Sequence, residues 1–560
     1  GKSVSDVRPP PFVGRERELR LLKDTLTAVM SERRAQHIAI IGEGGIGKTR
    51  LSEELKKHID GYAEDIYWHQ GRSPSYGDGV TFWALGEMVR QRAGIVEGEE
   101  PARARTRLRT AVADFVPTED DREWIEPRLA GLLGLAEMPA GSRSELFAAL
   151  RTFFQHIAAQ GPSILVFEDL HWADAGMVEF ISELVERSTK SPMLVVTLAR
   201  PDILDRHPNW GSQHRSSVAV RLPPMSGSEM HQMITEYLPG LEHDVVDRLA
   251  ERAAGFPLYA VEMVRMLTAS GELVEEDGRY RYEGDASVMA FPDSLHAVIG
   301  ARLDRLDATE QSLLQDGAVL GQTVSLDGIA QLRGEGRDVL EGQLGRLIQL
   351  EILDLEDDPR SPERGQYGFV QSLIREVAYN RLPRQERRAK HVATAEYLHT
   401  LGDPELAGVI AGHYMGAYEA TPAGSERDDL IESAIGSLTD AAERAVELHS
   451  HVQAMSLLDH AVELAADAGL QADLRLRAAD SANKHGEVER GLVYIDAALE
   501  HFITAGNTDG IRRAATAKSE LLNGYFRSPD ALDAIEEVYK AIDSVDDLSL
   551  IHISEPTRLQ

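Results

Sequence analysis

Short apolar runs alternate with stretches of helical spacing in the first part of the chain. The runs HIAII (37–41), SILVFED (163–169) and MLVVTLAR (193–200) are apolar almost throughout, as strands are when both faces of a sheet are buried. RLSEELKKHI (50–59) instead repeats its apolar residues every three or four positions, as a helix does. This alternation predicts a parallel α/β sheet, in which ligands bind at the carboxyl ends of the strands.

Beyond residue 205 the pattern is mainly helical. The sequence predicts a helical domain broken by GFP at 255–257, and then a region in which helices such as SLHAVIGARLDRL (294–306) mix with short β segments, typical of a small winged-helix domain. The remainder is all-α. The predicted architecture is therefore a multidomain α/β + α protein: linker 1–10, parallel α/β domain 11–205, helical domain 206–285, winged-helix domain 286–385, helical region 386–548, and tail 549–560.

Alanines recur in the C-terminal region at an interval typical of helical repeats. Three of them are 37 and 36 residues apart, and each is followed four and seven positions later by another apolar residue: Ala461, Ala465 and Ala468; Ala498, Phe502 and Ala505; Ala534, Val538 and Ala541. This register resembles that of tetratricopeptide helices, whose period is near 34 residues, and stacked helix pairs form a protein-binding surface. An irregular helical bundle with coincidental alanines is the alternative.

Composition restricts the class of partner. The 560 residues include 59 Lys and Arg against 92 Asp and Glu, a formal charge of -33, which argues against direct binding of nucleic acid or anionic lipid. The chain has no cysteine, so disulfides and thiolate metal sites are excluded. No apolar run approaches the roughly 20 residues that span a bilayer, and no signal peptide is recognisable. These features predict a cytoplasmic protein without a membrane partner.

Both ends of the chain differ from the body. The chain begins at Gly1 with GKSVSDVRPPP, which we interpret as a linker after an upstream domain. SLIHISEPTRLQ (549–560) resembles translated adapter sequence, and we expect it to be non-native; a genuine frayed tail is the alternative.

The stretch IIGEGGIGKTR (40–50) contains the complete P-loop pattern between a predicted strand and a predicted helix. Its backbone amides are expected to surround phosphates, with Lys48 on the β and γ oxygens and the Thr49 hydroxyl on Mg²⁺. The helix N-terminus adds a favourable dipole. We therefore predict ATP or ADP with Mg²⁺ as cofactors, bound by Gly42, Gly44, Gly45, Ile46, Gly47, Lys48, Thr49 and Arg50. Domain 11–205 is therefore predicted to be a P-loop ATPase domain; a glycine-rich turn without a ligand is the alternative.

Charged residues end the other two apolar runs. Glu168 and Asp169 follow one strand, and we predict that Glu168 helps to hold Mg²⁺ while Asp169 orients or deprotonates the attacking water. Arg200 follows the other, where a guanidinium suits a γ-phosphate. With Lys48, these three are the candidate catalytic residues; simple solvated surface charges are the alternative.

Seven stretches occur in the order seen in the signal-transduction ATPases called STAND, and the chain resembles that family over roughly residues 11–545. It looks most like the ATPase and repeat portion attached to bacterial class III adenylate/guanylate cyclases. The stretches are PFVGRERELRLL, GEGGIGKTRL, GRSPSYGDGVTFWALGEMVR, ILVFEDLHWAD, LARPD, GFPLYAVEMVR and LHAVIGARLDRL.

The resemblance implies further binding residues. Val13, Gly14 and Arg15 match the family's segment beside the adenine, Pro257 matches the proline that packs on the base, and Arg200 matches the sensor arginine.

One position departs from the family and three others have no assigned chemistry. Gln371 stands where the family often has a histidine that touches the β-phosphate of ADP; glutamine donates a hydrogen bond but carries no charge, so we expect a weaker ADP-locked state. His171, Trp172 and Asp174 are characteristic of the family, and we favour a local cap and packing over a chemical role for them.

The predicted function is a slowly hydrolysing ATP switch, the regulatory module of a cyclase-type multidomain protein. ATP is expected to close the α/β domain against the helical and winged-helix domains. The repeats are expected to bind a protein partner, and oligomer formation is expected to depend on the nucleotide. No cyclase site is recognisable in the chain. The alternatives are a LuxR-type transcription regulator without its helix-turn-helix, and a repeat scaffold whose P-loop is structural.

Overall fold

A computed structural model describes residues 9–62, 65–74, 81–284, 291–358 and 361–525 of the chain. The fold separates into two compact units, and the main boundary lies between Asp403 and Pro404. The first unit contains the α/β sheet and two smaller regions, and the second contains helices.

A five-stranded parallel sheet forms the first part of the first unit. Its strands are β1 Gln36–Ile41, β2 Tyr67–Arg72, β3 Ser163–Glu168, β4 Met193–Ala199 and β5 Ser217–Arg221, in the order β2-β3-β4-β1-β5. The helices around it are α1 Glu16–Glu32, α2 Lys48–Ile59, α3 Trp83–Ala93, α4 Pro101–Phe115, α5 Glu119–Leu132, α6 Arg143–Gln160, α7 Ala175–Arg187 and α8 Ile203–Arg206.

The predicted parallel α/β sheet is confirmed. Every residue of β3 and β4 is buried, as expected for central strands covered on both faces. The sheet nevertheless extends past the boundary predicted at residue 205, because Ser217–Arg221 pairs with β1 as an edge strand. Its residues are half-buried or exposed, so the sequence there lacks the apolar run that marks the inner strands.

The helical region, residues 223–284, follows the sheet. It consists of α9 Gly227–Tyr237, α10 His243–Ala253, α11 Pro257–Ser270 and the hairpin β6 Leu273–Glu276 and β7 Arg279–Tyr282. Gly255 has φ +84°, a conformation that favours glycine, and Pro257 occupies the first turn of α11, where its missing N–H costs nothing. The GFP stretch thus separates α10 from α11, as the sequence predicts.

The small-sheet region, residues 291–403, completes the first unit. Its helices are α12 Leu295–Leu303, α13 Ala308–Leu320, α14 Leu326–Arg333, α15 Arg337–Gln349, α16 Ser372–Asn380 and α17 Arg384–Thr400; its antiparallel strands are β8 Thr323–Val324, β9 Leu353–Leu355 and β10 Tyr367–Phe369, in the order β8-β10-β9.

Helix α17 lies beyond the boundary predicted at residue 385 and still belongs to the first unit. It packs on α13 and α14, and its buried His391 shares a hydrogen bond of 2.8 Å with the Tyr379 hydroxyl of α16. Helical periodicity alone does not distinguish this last helix of one unit from the first helix of the next.

A buried ion network joins the helical region to the small-sheet region. Glu262 of α11 is fully buried and accepts hydrogen bonds from Arg302 of α12 at 2.8 Å and from Arg265 at 2.7 Å. Arg265 also pairs with Glu351, next to β9, at 2.7 Å. Charged hydrogen bonds therefore connect helix α11 to two parts of the small-sheet region, helix α12 and Glu351 shortly before β9.

The second unit contains six α-helices among the described residues, preceded by a short 3-10 helix, Pro404–Leu406. They are α18 Ala407–Ala420, α19 Ser425–Glu447, α20 His451–Leu464, α21 Ala468–His485, α22 Val488–Thr504 and α23 Thr508–Tyr525, and each packs against the next along the chain. None of the helices in the described parts of either unit is long and apolar enough to cross a bilayer.

The alanine spacing is reflected in the helices only in part. Ala461 and Ala498 are fully buried and lie in α20 and α22, which begin 37 residues apart (488 − 451). However, α20 ends at Leu464, so Ala465 falls in the turn and Ala468 begins the next helix. The first copy of the register therefore does not lie on one helix face. Ala534, Val538, Ala541 and the predicted tail 549–560 lie outside the described residues.

Candidate functional site

The phosphate loop, residues 42–47, connects the buried strand β1 to the N-terminus of α2. Gly45 and Gly47 have φ values of +77° and +101°, which residues with a side chain rarely adopt. A Cβ at Gly42 would lie 2.9 Å from the Ile46 side chain, which is buried and anchors the loop. Glycines at these positions therefore allow a tight loop that closes directly on the helix end.

Lys48 is the first residue of α2 and reaches back across the phosphate loop. Its Nζ donates hydrogen bonds to the carbonyl oxygens of Gly42 at 2.8 Å and Glu43 at 3.0 Å. Burial lowers the pKa of Lys48 to about 8, and the charge of Asp169 partly opposes that shift. A phosphate oxygen that binds Lys48 would replace neutral carbonyl acceptors with a charged one, which is a stronger partner.

The two predicted acids stand at the carboxyl end of β3 but in different surroundings. Glu168 is the last residue of β3 and is 3% exposed, whereas Asp169 has a left-handed φ of +51° and begins a short 3-10 helix, Leu170–Trp172. Burial raises the pKa of Asp169, while the charges of Arg72, Lys48 and Arg200 lower it. Of these two acids, Asp169 is the one whose charge acts on the pKa of Lys48.

Arg72 is a functional candidate that the sequence reasoning missed. It ends β2 directly beside Glu168 in the parallel register, and its Nη2 lies 3.0 Å from Glu168 Oε2. Its Nε lies 3.8 Å from Asp169 Oδ2, so one guanidinium faces both acids. The available signal was the Gly-Arg pair at the start of the stretch GRSPSYGDG, but the mixed aromatic and polar sequence of β2 does not predict a strand.

Arg200 follows β4, and β4 lies between β1 and β3 in the sheet. This strand order brings Arg200 beside the phosphate loop: a Cβ at Gly44 would lie 4.0 Å from Arg200 Nη2. The guanidinium lies over the Trp172 ring, 5.5 Å from its centre. Within the described parts of the chain no carboxylate pairs with it, so its charge remains available to an anion.

The predicted adenine-binding residues meet on one short segment of the helical region, residues 223–225. Val13 is buried in the core of that region, and Arg15 donates a hydrogen bond to the carbonyl oxygen of Pro223. A Cβ at Gly14, whose φ is +76°, would lie 3.0 Å from the Met225 side chain. The backbone N–H of Met225 in turn donates to the Gly255 carbonyl at 2.9 Å.

The N-terminus of α11 touches the phosphate loop. Pro257 is its first residue, and the backbone N–H of the next residue, Leu258, donates to the Gly45 carbonyl at 3.3 Å. The Leu258 side chain also limits space at Gly45, where a Cβ would lie 3.0 Å from Leu258 Cβ. After Arg72, Leu258 is the second residue of the site that the sequence did not predict, because its hydrogen bond to the phosphate loop uses only main-chain atoms.

Three other predicted residues occupy less central positions. Thr49 is exposed in the first turn of α2, and Arg50 pairs with Glu54 at 3.0 Å and donates to the Pro10 carbonyl at 3.2 Å. Gln371 precedes α16, where its backbone carbonyl accepts from Ile374 N–H, and its side-chain Oε1 is buried without a partner among the described residues. Its place at a nucleotide stays a prediction.

Asp174 has the structural role that the sequence favoured. Its carboxylate accepts hydrogen bonds from the backbone N–H of Met177 at 3.0 Å and of Phe82 at 3.3 Å, and it thereby caps α7 and anchors the start of α3.

The donor set fits Mg²⁺ bound together with phosphate. The described residues contain no group of three or more His, Asp or Glu that could hold a metal by themselves. Protein sites for Mg²⁺ commonly supply one or two oxygen ligands while phosphates and water supply the others. The exposed hydroxyl of Thr49 and the acids at the end of β3 are ligands of that kind.

Comparison with known proteins gives a family match for part of the first unit. Residues 11–196 match the family model of the AAA ATPase domain. This domain therefore accounts for the phosphate loop, the acids and most of the sheet.

Among curated proteins, the chain is similar to an uncharacterized protein of Rhizobium meliloti (strain 1021), with 24% identity over 463 residues. The match covers 81% of this chain and 43% of that protein, so the chain spans less than half the length of this relative.

Two solved structures are also similar. One is a STAND protein with a tetratricopeptide repeat sensor from Pyrococcus horikoshii, with 15% identity, a TM-score of 0.44, and coverage of 98% of this chain and 73% of that chain. The other is the Aeropyrum pernix ORC1 protein in complex with DNA, with 16% identity, a TM-score of 0.32, and coverage of 72% and 95%.

Proposed function

We propose that the chain is an ATP-dependent switch of the STAND type, in which ATP with Mg²⁺ is bound tightly and hydrolysed slowly. The observation that carries this proposal is the convergence of separate elements on one phosphate loop. Lys48 crosses the loop, Asp169 and Arg200 act on it from β3 and β4, and Leu258 of α11 donates to Gly45. Such an arrangement connects a bound nucleotide both to the candidate catalytic residues and, through Leu258, to the helical region.

Each group at the loop has a distinct task in the proposal. The loop amides and Lys48 hold the β- and γ-phosphates, Thr49 and Glu168 hold Mg²⁺, and Asp169 orients the attacking water. Bound Mg²⁺ would neutralise charge on the phosphates. Arg200 binds the γ-phosphate and so distinguishes ATP from ADP. Its guanidinium pairs with no carboxylate in the described parts of the chain.

Slow turnover is supported by the pairing of Glu168 with Arg72. A carboxylate held at 3.0 Å by a guanidinium must exchange that partner before it can serve a metal or water. This exchange adds a step before hydrolysis, and its rate depends on the position of β2. The added step prolongs the ATP-bound state, which a switch needs.

Coupling to the rest of the first unit is proposed to run through α11. Its N-terminus contacts Gly45, and Glu262, one turn further on, is held by Arg302 of the small-sheet region. A change in the loop is thus transmitted to both smaller regions, which we interpret as the helical and winged-helix domains of the family. Differential affinity of roughly 1–3 kcal/mol for two arrangements is sufficient for a switch.

The adenine is proposed to bind between the N-terminal segment Val13–Arg15 and Pro257. Both pack around residues 223–225, so the base would contact two regions at once. Gln371 is proposed to bind ADP more weakly than a histidine would.

The second unit is proposed to form a tetratricopeptide-like surface that binds a protein partner. The motif resemblance supports a role as regulatory module of a nucleotidyl cyclase-type protein.

Two other functions share many of these features. A LuxR-type transcription regulator would use the same ATPase core, and the sequence of the complete gene distinguishes it from a cyclase-associated regulator. A scaffold with a structural P-loop would not need Lys48, Glu168, Asp169 and Arg200 together.

A comparison of two classes of variant tests the switch. Lys48→Ala removes the charge that bridges the phosphates and should weaken ATP by about 2 kcal/mol or more. Glu168→Gln or Asp169→Asn should retain ATP and lose turnover. Small-angle scattering with ATP and with ADP should show the Lys48 variant in the ADP-like form and at least one acid variant trapped in the ATP form. Identical profiles for all proteins and nucleotides would contradict the proposal.

A further inference from the structure

Two residues of the short 3-10 helix after β3 have no task in the site described above. His171 is 2% exposed and Trp172 is half-buried, and they follow Asp169 directly in the chain. The cap of α7 is made by Asp174 and does not need them. Their contacts lie instead on Arg200.

The three side chains form a stack. The centre of the Trp172 ring lies 5.5 Å from the Arg200 guanidinium carbon, within the range of a cation–π interaction. The His171 ring packs on Trp172 with ring centres 4.6 Å apart and planes at 39°. His171 Nδ1 also lies 3.5 Å from the backbone nitrogen of Arg200, and the His171 carbonyl accepts a hydrogen bond from Arg206 of α8. The end of β4 and helix α8 therefore both contact the 3-10 helix that carries the Trp172 ring.

An aromatic support suits an arginine that must bind a phosphate. A carboxylate would also order this long side chain, but it would occupy N–H donors and neutralise the charge. A ring face attracts the guanidinium and leaves its donors at the edge free. Burial lowers the pKa of His171 to about 4, so the imidazole beside this stack is neutral near pH 7 and adds no like charge.

We propose that Trp172, supported by His171, is a positioning residue that holds Arg200 toward the terminal phosphate of a bound nucleoside triphosphate. The stack then determines how strongly the protein prefers triphosphate over diphosphate. This inference rests on the role proposed for Arg200 above.

The test measures binding in place of turnover. Calorimetry with a non-hydrolysable ATP analogue and with ADP, both with Mg²⁺, gives the ratio of the two dissociation constants for wild type, Trp172→Phe and Trp172→Leu. Leucine fills space without a ring, so Trp172→Leu should weaken the triphosphate about threefold to tenfold and leave ADP unchanged. Trp172→Phe retains a ring and should stay closer to wild type.

A double-mutant cycle separates positioning from packing. In an Arg200→Ala background, Trp172→Leu should have no further effect on the ratio, because the side chain that it positions is gone. The matched control is Trp124→Leu. Trp124 is also half-buried, and its ring centre lies 4.8 Å from the guanidinium carbon of Arg128, so its replacement should change neither dissociation constant.

Each result decides a different claim. An equal loss of triphosphate and ADP affinity in Trp172→Leu, or a loss that persists without Arg200, would mean that Trp172 acts through packing, and the inference would be wrong. If Arg200→Ala itself leaves the ratio unchanged, the sensor role of Arg200 is wrong and the inference falls with it.

A spectroscopic measurement avoids the risk that Trp172→Leu does not fold. Subtracting the fluorescence of Trp172→Phe from that of wild type isolates the emission of Trp172. This difference should shift with the triphosphate analogue and not with ADP, since only the triphosphate engages Arg200. Equal responses to the two nucleotides would also overturn the inference.

Discussion

Arg72 and Glu168 end neighbouring parallel strands at the same level, and their side chains pair at 3.0 Å at the edge of the sheet that carries the phosphate loop. The main partner of a candidate catalytic acid is therefore a cation supplied by the next strand. The side chain of Glu168 is 4% exposed, so Arg72 takes the place that water would have beside an exposed carboxylate.

Replacing Arg72 tests this dependence. Arg72→Met should destabilise the protein by about 1–3 kcal/mol, because a buried carboxylate loses its counter-charge while the arginine itself is partly exposed. Urea unfolding measures the loss. Arg72→Lys, which keeps a positive charge, should recover part of it. Equal stability of wild type and Arg72→Met would show that Glu168 does not need the ion pair.

Lys48 gives the site a pH dependence. Its pKa of about 8 in the free protein should rise when phosphates bind, so ATP binding takes up a proton above pH 8 and affinity falls as the pH increases further. Below pH 7 the lysine is already charged and this dependence disappears. Calorimetry in buffers of different ionisation enthalpy counts the protons. Lys48→Arg serves as the control, since its guanidinium stays charged throughout. No proton uptake between pH 8 and 9 in wild type would contradict the prediction.

Gln371→His tests the predicted difference from the family. If residue 371 reaches the diphosphate, the histidine should tighten ADP relative to ATP by on the order of 1 kcal/mol. Direct calorimetric titration of both nucleotides into wild type and variant gives the ratio. An unchanged ratio would remove Gln371 from the binding site.

The ion network at Glu262 should carry a large share of the stability of the first unit. Glu262→Gln leaves the buried Arg302 without its counter-charge and Arg265 with Glu351 alone, and it should cost about 3–5 kcal/mol. Denaturant unfolding is the measurement. Glu283→Gln, which breaks the exposed pair with Arg281, should cost no more than about 0.5 kcal/mol. Similar losses for the two variants would mean that burial does not set the strength of the network.

The sequence predicts the parts of the site that repeat a local pattern. The phosphate loop, the strands β3 and β4 and the charged residues at their ends follow from apolar runs and glycine spacing. Arg72 could not be predicted, since its strand YWHQGR has neither an apolar run nor a polar-apolar alternation and its partner is 96 positions away. Helix α17 belongs to the first unit although the predicted repeat region begins at residue 386, because tertiary contacts and not periodicity decide where a helix packs. The role of Trp172 likewise depends on strand order, which places Arg200 beside it.

The bond from Leu258 to Gly45 joins two main-chain groups, so almost any residue at position 258 can make it. A change of side chain at position 258 therefore leaves this link to the phosphate loop in place. Proline is the exception, because it has no N–H to donate, and Leu258→Pro is the replacement that removes the link outright. The link depends on where helix α11 begins, and not on which side chain stands there.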